Sequence, residues 1–105
     1  MSTEHQFDEL ERHKLNLETG TVAWGELERH FASGRLISVS PRLDLVDVAF
    51  EFAKDNKSQL ALWLGSNEVF PVTDEQASAW HIEQAMLWAV VVKPWVLVQN
   101  RGSHD

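Results

Sequence analysis

The sequence predicts an α+β domain with about four helices and a small three-stranded, mixed sheet, in the order α-α-β-α-β-α-β. Two observations predict this class. Apolar residues recur at helical spacing in several stretches, and short runs rich in Val, Leu and Ile are bounded by Pro, Gly or Asn. A chain of 105 residues has the length of one domain. We therefore expect a single domain over 1–105, with an ordered core over about 6–99 and a loose tail over 100–105.

Two amphipathic helices are predicted in the first third of the chain, over residues 4–18 and 22–32. In each of them, apolar residues recur every three or four positions, which places them on one face. Gly34 then supplies a left-handed stop for the second helix. The residues that define the two faces are Phe7, Leu10, Lys14 and Leu17 in the first helix and Trp24, Leu27 and Phe31 in the second.

The middle of the chain predicts a short strand over 36–39 and a long helix over 41–64. Ser40-Pro41 has the residue types of a helix start, because a hydroxyl caps the first turn and proline suits its first position. The polar triplet at 55–57 predicts a kink or a break into two helices. Asn56 lies on the apolar stripe of this helix, where it either fixes helix register, as a buried asparagine can, or caps the kink.

The last third of the chain predicts a strand, a helix and a second strand. Pro71 suits an edge position in the strand over 69–72, and the capping-box sequence at 73–76 opens the fourth helix. The final strand, over 88–98, is apolar on both faces, and Pro94 marks a bulge, a turn or an edge within it. Because this sheet core is short of cover, the pattern favours a partner subunit that completes it.

Composition and charge exclude several classes of function. There are 16 acidic and 9 basic residues, giving a net charge of −7, and no dense basic run, so we expect no nucleic acid among the partners. The absence of cysteine excludes disulfides and thiolate chemistry. No apolar stretch reaches the roughly 20 residues that span a bilayer, and the first residues do not resemble a secretory signal. We therefore expect a cytoplasmic protein with no membrane partner.

One repeated motif has the residue types of a metal site. The pentapeptide Glu-Leu-Glu-Arg-His occurs at 9–13 and again at 26–30. On a helix Glu26 and His30 share a face, and two such helices side by side would bring two carboxylates and two imidazoles to one metal ion. The favoured alternative is that these residues are ordinary helix formers beside a core stripe. The sequence therefore predicts no metal and no cofactor, with Glu26 and His30 as the candidate ligands if one binds.

Other polar patterns give no catalytic residue. His81 lies one helical turn from Ser78 but lacks a third triad member, and the glycines form no phosphate-binding pattern, so nothing supports an enzyme. An acidic stripe on the third helix is either a site for a cation or basic partner, or a solvated helix face, and the second interpretation is favoured. The stripe consists of Asp44, Asp47, Glu51 and Asp55.

Five tryptophans, with no tyrosine, are the unusual feature of the composition. We expect most of them to fill the core. Because each indole N–H also needs an acceptor, we expect one or two at a groove or a subunit contact. The candidate binding or interface residues are Trp24, Trp63, Trp80, Trp88 and Trp95, together with Asn56 and His81.

Several sequence blocks over about residues 15–99 carry a resemblance. They are Leu15-Asn-Leu-Glu-Thr19, Trp24 with Glu26-Leu27, Leu43-Asp-Leu-Val46 with Val48-Ala49, Asp55-Asn-Lys57, Asp74-Glu-Gln-Ala77 with Trp80, and Trp88-Ala-Val-Val-Val92 with Pro94-Trp-Val-Leu-Val-Gln99. With these blocks the chain resembles a family of short bacterial proteins, common in proteobacteria and cyanobacteria, known only as a domain of unknown function. The resemblance implies a bacterial cytosolic setting and supplies no activity, ligand or catalytic residue.

We therefore expect a non-enzymatic, homodimeric protein-interaction module, whose contact uses the C-terminal strand face and one or more tryptophans. An unidentified protein partner is a further expectation. The alternative is a small-molecule or metal-binding regulatory domain. Its pocket would be lined by tryptophan and approached by His30 or His81.

Overall fold

The computed structural model describes residues 2–101, with side chains from residue 8 onward. Over these residues the fold is a mixed α+β domain, as predicted, but it has five helices and five strands, so the predicted counts of four and three are wrong. The elements in chain order are α1 (Ser2–Glu18), β1 (Gly20–Ala23), α2 (Trp24–Ala32), β2 (Leu36–Val39), α3 (Leu45–Ala53), α4 (Lys57–Gly65), β3 (Val69–Pro71), α5 (Asp74–Glu83), β4 (Met86–Val92) and β5 (Trp95–Gln99).

The five strands form one sheet in the order β1-β4-β5-β2-β3. The pair β2–β5 is parallel, with Ile37 opposite Leu97, and the other three pairs are antiparallel, so the predicted mixed sheet is confirmed. The C-terminal strand β5 therefore lies at the centre of the sheet. Pro71 lies in β3 at one edge of the sheet, where its missing N–H removes no ladder hydrogen bond.

Helices cover both faces of the sheet. Leu97 of β5 packs in one core cluster with α1, α3 and the inner side of α4, and its neighbours Val96 and Val98 pack in a second cluster with α2 and α5. All residues of β5 from Val96 to Gln99 are buried. The expectation that the C-terminal strand lacks cover on one face is therefore wrong for Val96 to Gln99, whereas Val91 and Trp95, near its turn, are 53% and 36% exposed.

The segment 41–64, predicted as one long helix with either a kink or a break at 55–57, contains two helices, which confirms the break. The first of them starts later than predicted, because Asp44 caps α3, its carboxylate accepting from the backbone N–H of Val46 at 2.9 Å and of Asp47 at 3.3 Å. Ser40 instead begins a turn, in which the Leu43 N–H donates to the Ser40 carbonyl at 3.0 Å. Between α3 and α4 the chain reverses at Asp55, which has a φ of 57°.

Two strand predictions also need correction. The strand predicted over 88–98 is the hairpin β4–β5, and Lys93-Pro94 forms its turn, one of the roles left open for Pro94. Strand β1 was predicted partly as loop and partly as helix. It is only four residues long and begins with glycine, so its identity comes from pairing with β4 and not from its own sequence.

The predicted inner face of α1 is wrong. Leu10 and Leu17 are 68% and 71% exposed, whereas Leu15 is 4% exposed and packs in the core. A charged side chain also contributes to the contact between α1 and α3: the Arg12 guanidinium lies 4.5 Å from the centre of the Phe50 ring. The side chain of Phe7 and the predicted loose tail from residue 102 onward lie outside the described residues. Within 2–101, no helix is long and apolar enough to cross a membrane.

Candidate functional site

The strongest candidate site is the outward side of α4, which we call the α4 surface. Of the nine residues in this helix, none is buried. Leu62 and Leu64 are 67% and 54% exposed. Around the helix circumference, Ser58, Ala61 and Gly65 lie between these two leucines. Their side chains are small, so this side of the helix forms a shallow, mostly apolar strip. The α4 surface consists of Ser58, Ala61, Leu62, Leu64 and Gly65, all exposed.

Local interactions hold α4 in place although it buries little. The Asn56 carboxamide caps the helix, its oxygen accepting from the Gln59 N–H at 3.3 Å and its nitrogen donating to Glu51 at 2.7 Å. Of the two roles left open for Asn56, the structure therefore supports the cap. On the inner side of α4, Leu60 and Trp63 are half-buried, and Trp63 packs against the core cluster that contains α3.

The five tryptophans do not converge on one surface. Trp24 and Trp80 are 4% and 6% exposed, with ring centres 5.7 Å apart, so they fill the core beneath α2 and α5 and offer no contact surface. Trp63 and Trp88 are half-buried, and the Arg101 guanidinium covers the Trp88 ring at 4.4 Å. Trp95 is 36% exposed, which leaves it as the indole most open to solvent.

A cavity of about 540 Å³ lies between α2 and the β1–β4 edge, and the candidate metal ligands line it. Glu26 and His30 line it, together with Glu18 and the half-exposed Val91. The proposed joining of the two pentapeptides at one metal ion is wrong, because α1 and α2 cover opposite faces of the sheet. Over the described part of the chain, no three His, Asp or Glu side chains are placed to hold a metal ion.

A second cavity, of about 450 Å³, lies between α2 and α5 and brings Trp24 and His81 together. The His81 Nδ1 is 3.2 Å from a carboxylate oxygen of Glu28. Gly25 and Gln84 complete much of its lining. The Trp24 Nε1 is the one buried side-chain nitrogen or oxygen without a hydrogen-bond partner in the described residues.

The acidic stripe of α3 is engaged within the chain. Asp44 caps α3, Asp47 pairs with Arg12, and Glu51 accepts from Asn56. Asp55 follows α3 and lies 3.9 Å from the Lys57 ammonium. Of the two interpretations of the acidic stripe, these contacts therefore support a solvated helix face and not a site for a cation.

Gln99 is a buried polar residue that the sequence reasoning did not single out. Its amide nitrogen donates to the carbonyls of Ser40 and Leu43 at 2.8 and 2.7 Å, and its oxygen accepts from Arg101 at 2.7 Å. It therefore ties the central strand to the loop that leads into α3. A single glutamine ending an otherwise apolar strand was the signal that could have identified it. For the α4 surface, the signal was a nine-residue segment without a polar face.

Comparison with known proteins identifies the fold and no activity. The family model described as "Protein of unknown function (DUF2288)" matches residues 10–100, which confirms the resemblance. Among curated proteins, none matches this sequence. The chain is similar to the protein in the solution NMR structure of PA1075 from Pseudomonas aeruginosa, with 40% identity and a TM-score of 0.78. That match covers 86% of this chain and 83% of the other.

Proposed function

This chain belongs to the family of proteins of unknown function DUF2288, and we propose that it is a protein-interaction module that pairs with a second copy of itself through the α4 surface. One observation carries the proposal: beyond its first three residues α4 is apolar on every side, yet it has no buried residue. A helix that is apolar all round is normally buried in a core. The exposed leucines therefore favour a contact that the single chain does not supply.

The distribution of charge supports a second copy as the partner. The chain carries a net charge of −7, so most ways of bringing two copies together oppose like charges. The α4 helix holds a single charged residue, Lys57, at its first position. In a contact with two-fold symmetry the same patch faces itself, so an uncharged patch avoids the repulsion that the rest of the surface imposes.

The dimensions of α4 limit the strength of this contact. Nine residues of helix span about 13.5 Å. A standard interface buries about 800 Å² on each partner, which is more than one face of so short a helix provides. We therefore expect a weak, concentration-dependent dimer with a dissociation constant of about 10 μM or higher. Small residues at Ala61 and Gly65 favour close approach of the two helix axes.

Sedimentation equilibrium of the wild-type chain and two variants tests the proposal. We expect the wild type to pass from monomer to dimer as its concentration rises from about 10 μM to about 1 mM. Leu62→Glu places a charge on the α4 surface and is expected to remain monomeric. Ile82→Glu is the matched control, because Ile82 is 77% exposed on α5, which packs on the opposite face of the sheet.

Two outcomes would overturn the proposal. The first is a wild-type chain that stays monomeric up to about 1 mM. The second is an equal loss of association in the Leu62→Glu and Ile82→Glu chains, since the contact would then not be at α4. Circular dichroism of both variants checks that each retains the wild-type helix content. A contact through Trp95 stays a prediction, and Trp95→Ala in the same experiment measures it.

A further inference from the structure

We infer that the open edge of the sheet at β1 binds a short, extended segment of a partner protein. A lysine or arginine side chain of that segment lies in the cavity between α2 and the β1–β4 edge. Over residues 2–101, β1 has a neighbouring strand on one side only. A segment that adds to such an edge is held by main-chain hydrogen bonds and selected by its side chains. The inference is independent of self-association, because α4 packs beside β3, at the opposite edge of the sheet.

The first observation is that β1 directs main-chain groups away from the sheet. The Trp24 N–H donates to the Ala85 carbonyl at 2.9 Å, where β1 and β4 run antiparallel. Alternate residues of an antiparallel strand bond to the same neighbour, so Thr21 and Ala23 direct their main-chain groups outward. The Ala23 carbonyl belongs to the first turn of α2, because Ala23 is the N-cap residue. Both N–H groups and the Thr21 carbonyl are therefore placed to bond to an added strand.

The two edges of the sheet differ in what opposes an added strand. At the other edge, β3 contains Pro71 and has α4 beside it. Strand β1 contains neither proline nor a charged residue, which are two of the devices that keep edge strands from pairing. Because β1 is four residues long, it accommodates a short segment only, and we expect weak binding.

The second observation is the cavity of about 540 Å³ that borders this edge. Three of the four residues of β1 line it, namely Gly20, Thr21 and Val22. Strand β4 continues to Val92, three residues beyond its last pairing with β1. On this overhang Val91 is 53% exposed and forms an apolar part of the cavity wall. The cavity therefore offers a side chain of the added segment both space and an apolar surface.

The third observation is the charge around the cavity, which favours a basic partner over a second copy. Glu18 and Glu26 are exposed in its lining, against one guanidinium, that of Arg29. A second copy paired through β1 about a two-fold axis brings both sets of carboxylates together, in a chain of net charge −7. A lysine or arginine instead lays its apolar stem on Val91 and brings its charge to the carboxylates.

Titration of the ¹⁵N-labelled full chain with a short peptide tests the inference. The probe is acetyl-Thr-Val-Lys-Val-Thr-amide, whose residues favour an extended conformation. Two matched peptides replace its lysine by norleucine or by glutamate. We expect the lysine peptide to shift the Thr21 and Ala23 amide signals with a dissociation constant of about 1 mM, and to slow their hydrogen exchange. We expect the norleucine peptide to bind about tenfold more weakly, and the glutamate peptide more weakly still.

One pair of variants tests the main-chain contact. Ala23 has a φ of −71°, which proline adopts, and its N–H points outward, so Ala23→Pro removes this donor and leaves the ladder with β4 intact. We expect it to weaken binding of the lysine peptide about fivefold or more. Ala23→Ser keeps the N–H and is expected to bind as the wild type does. Circular dichroism of both variants checks that the helix content is unchanged.

A second pair of variants tests the charge. Glu26→Gln removes one of the two carboxylates of the cavity, and we expect the preference for the lysine peptide over the norleucine peptide to fall about threefold. Glu75→Gln is the matched control, because Glu75 is equally exposed on α5 and outside the cavity. It is expected to leave the preference unchanged.

Four outcomes would overturn the inference. The first is that no peptide shifts the Thr21 and Ala23 signals at about 10 mM, and the second is equal binding to the Ala23→Pro and Ala23→Ser chains. The third is equal binding of the lysine and glutamate peptides. The fourth is a shift of both signals when the chain alone is concentrated, which would make a second copy the occupant. The Leu62→Glu chain is expected to bind the peptide as the wild type does, so a failure here is distinct from a failure of the α4 contact.

Discussion

Helices α3 and α4 follow each other with three residues between them, and each is nine residues long. In α3, Leu45, Val48 and Ala49 are 0% exposed, and the helix lies across the centre of the sheet. In α4 no residue is buried, and Leu62 is 67% exposed. Two consecutive helices of equal length thus have opposite relations to the same core.

The difference lies in where each helix carries its polar residues. In α3, Asp47 and Glu51 are one turn apart and mark a single outward line. In α4 the polar residues gather in the first turn, and none marks an outer face farther along. Apolar content therefore predicts that a helix needs cover, and only the placement of polar residues predicts which side the fold covers. Substitutions in the two helices test this contrast.

The largest expected difference comes from truncating one leucine in each helix. Leu45→Ala removes a fully buried side chain, so we expect the free energy of unfolding to fall by about 2–5 kcal/mol. Leu62→Ala removes an exposed one, and we expect a change of no more than about 0.5 kcal/mol. Urea denaturation of dilute, monomeric chains measures both values. Comparable losses in the two variants would mean that α4 is as well covered as α3.

The helix caps give an intermediate difference. Asp44→Ala removes two hydrogen bonds at the start of α3, and we expect global unfolding to lose about 1 kcal/mol. Asn56→Ala removes the equivalent bond in α4, but because no residue of α4 is fully buried we expect local opening, seen as faster amide hydrogen exchange over 59–65. Ser58→Ala in the same turn is the control. If Asn56→Ala lowers global stability as much as Asp44→Ala does, then α4 unfolds together with the core.

The smallest effect is expected at the charged contacts. Arg12→Met removes the pair with Asp47, whose side chains are 44% and 55% exposed, so we expect a loss below about 1 kcal/mol that shrinks as salt is added. Lys57→Met in α4 removes an ammonium 3.9 Å from Asp55 and is expected to change nothing measurable. Urea unfolding at low and high sodium chloride gives both values. A loss at Lys57 as large as that at Arg12 would contradict the contrast.

Local signals predicted the parts of the fold that depend on a few neighbouring residues. Strand β2 has the predicted bounds. The capping box also formed, with reciprocal hydrogen bonds of 3.1 Å between Thr73 and Gln76. Strand β1 and the inner face of α1 were not predictable in this way. The first depends on pairing with β4, and the second on where Arg12 meets Phe50, two contacts between distant parts of the chain.

In the candidate sites, too, features that depend on contacts between distant parts of the chain were not predicted. Attention to tryptophan and histidine identified Trp24 and His81, which share a cavity, but not the orphaned indole N–H, which depends on packing. The α4 surface was not predicted, because the apolar stripe of the predicted long helix runs through Leu60 and Trp63, which lie on the inner side of α4. The turn at Asp55 separates α4 from α3, and Leu62 and Leu64 beyond it are exposed.

The central position of β5 has a consequence for how the chain is made. β5 follows the other four strands along the chain, and it lies between the pair β1–β4 and the pair β2–β3. Until β5 is in place, each pair has one strand edge without a hydrogen-bonded neighbour. Gln99, the last residue of β5, also fixes the loop before α3. We expect the sheet to close only when β5 is added, so the nascent chain depends on β5 for protection against aggregation.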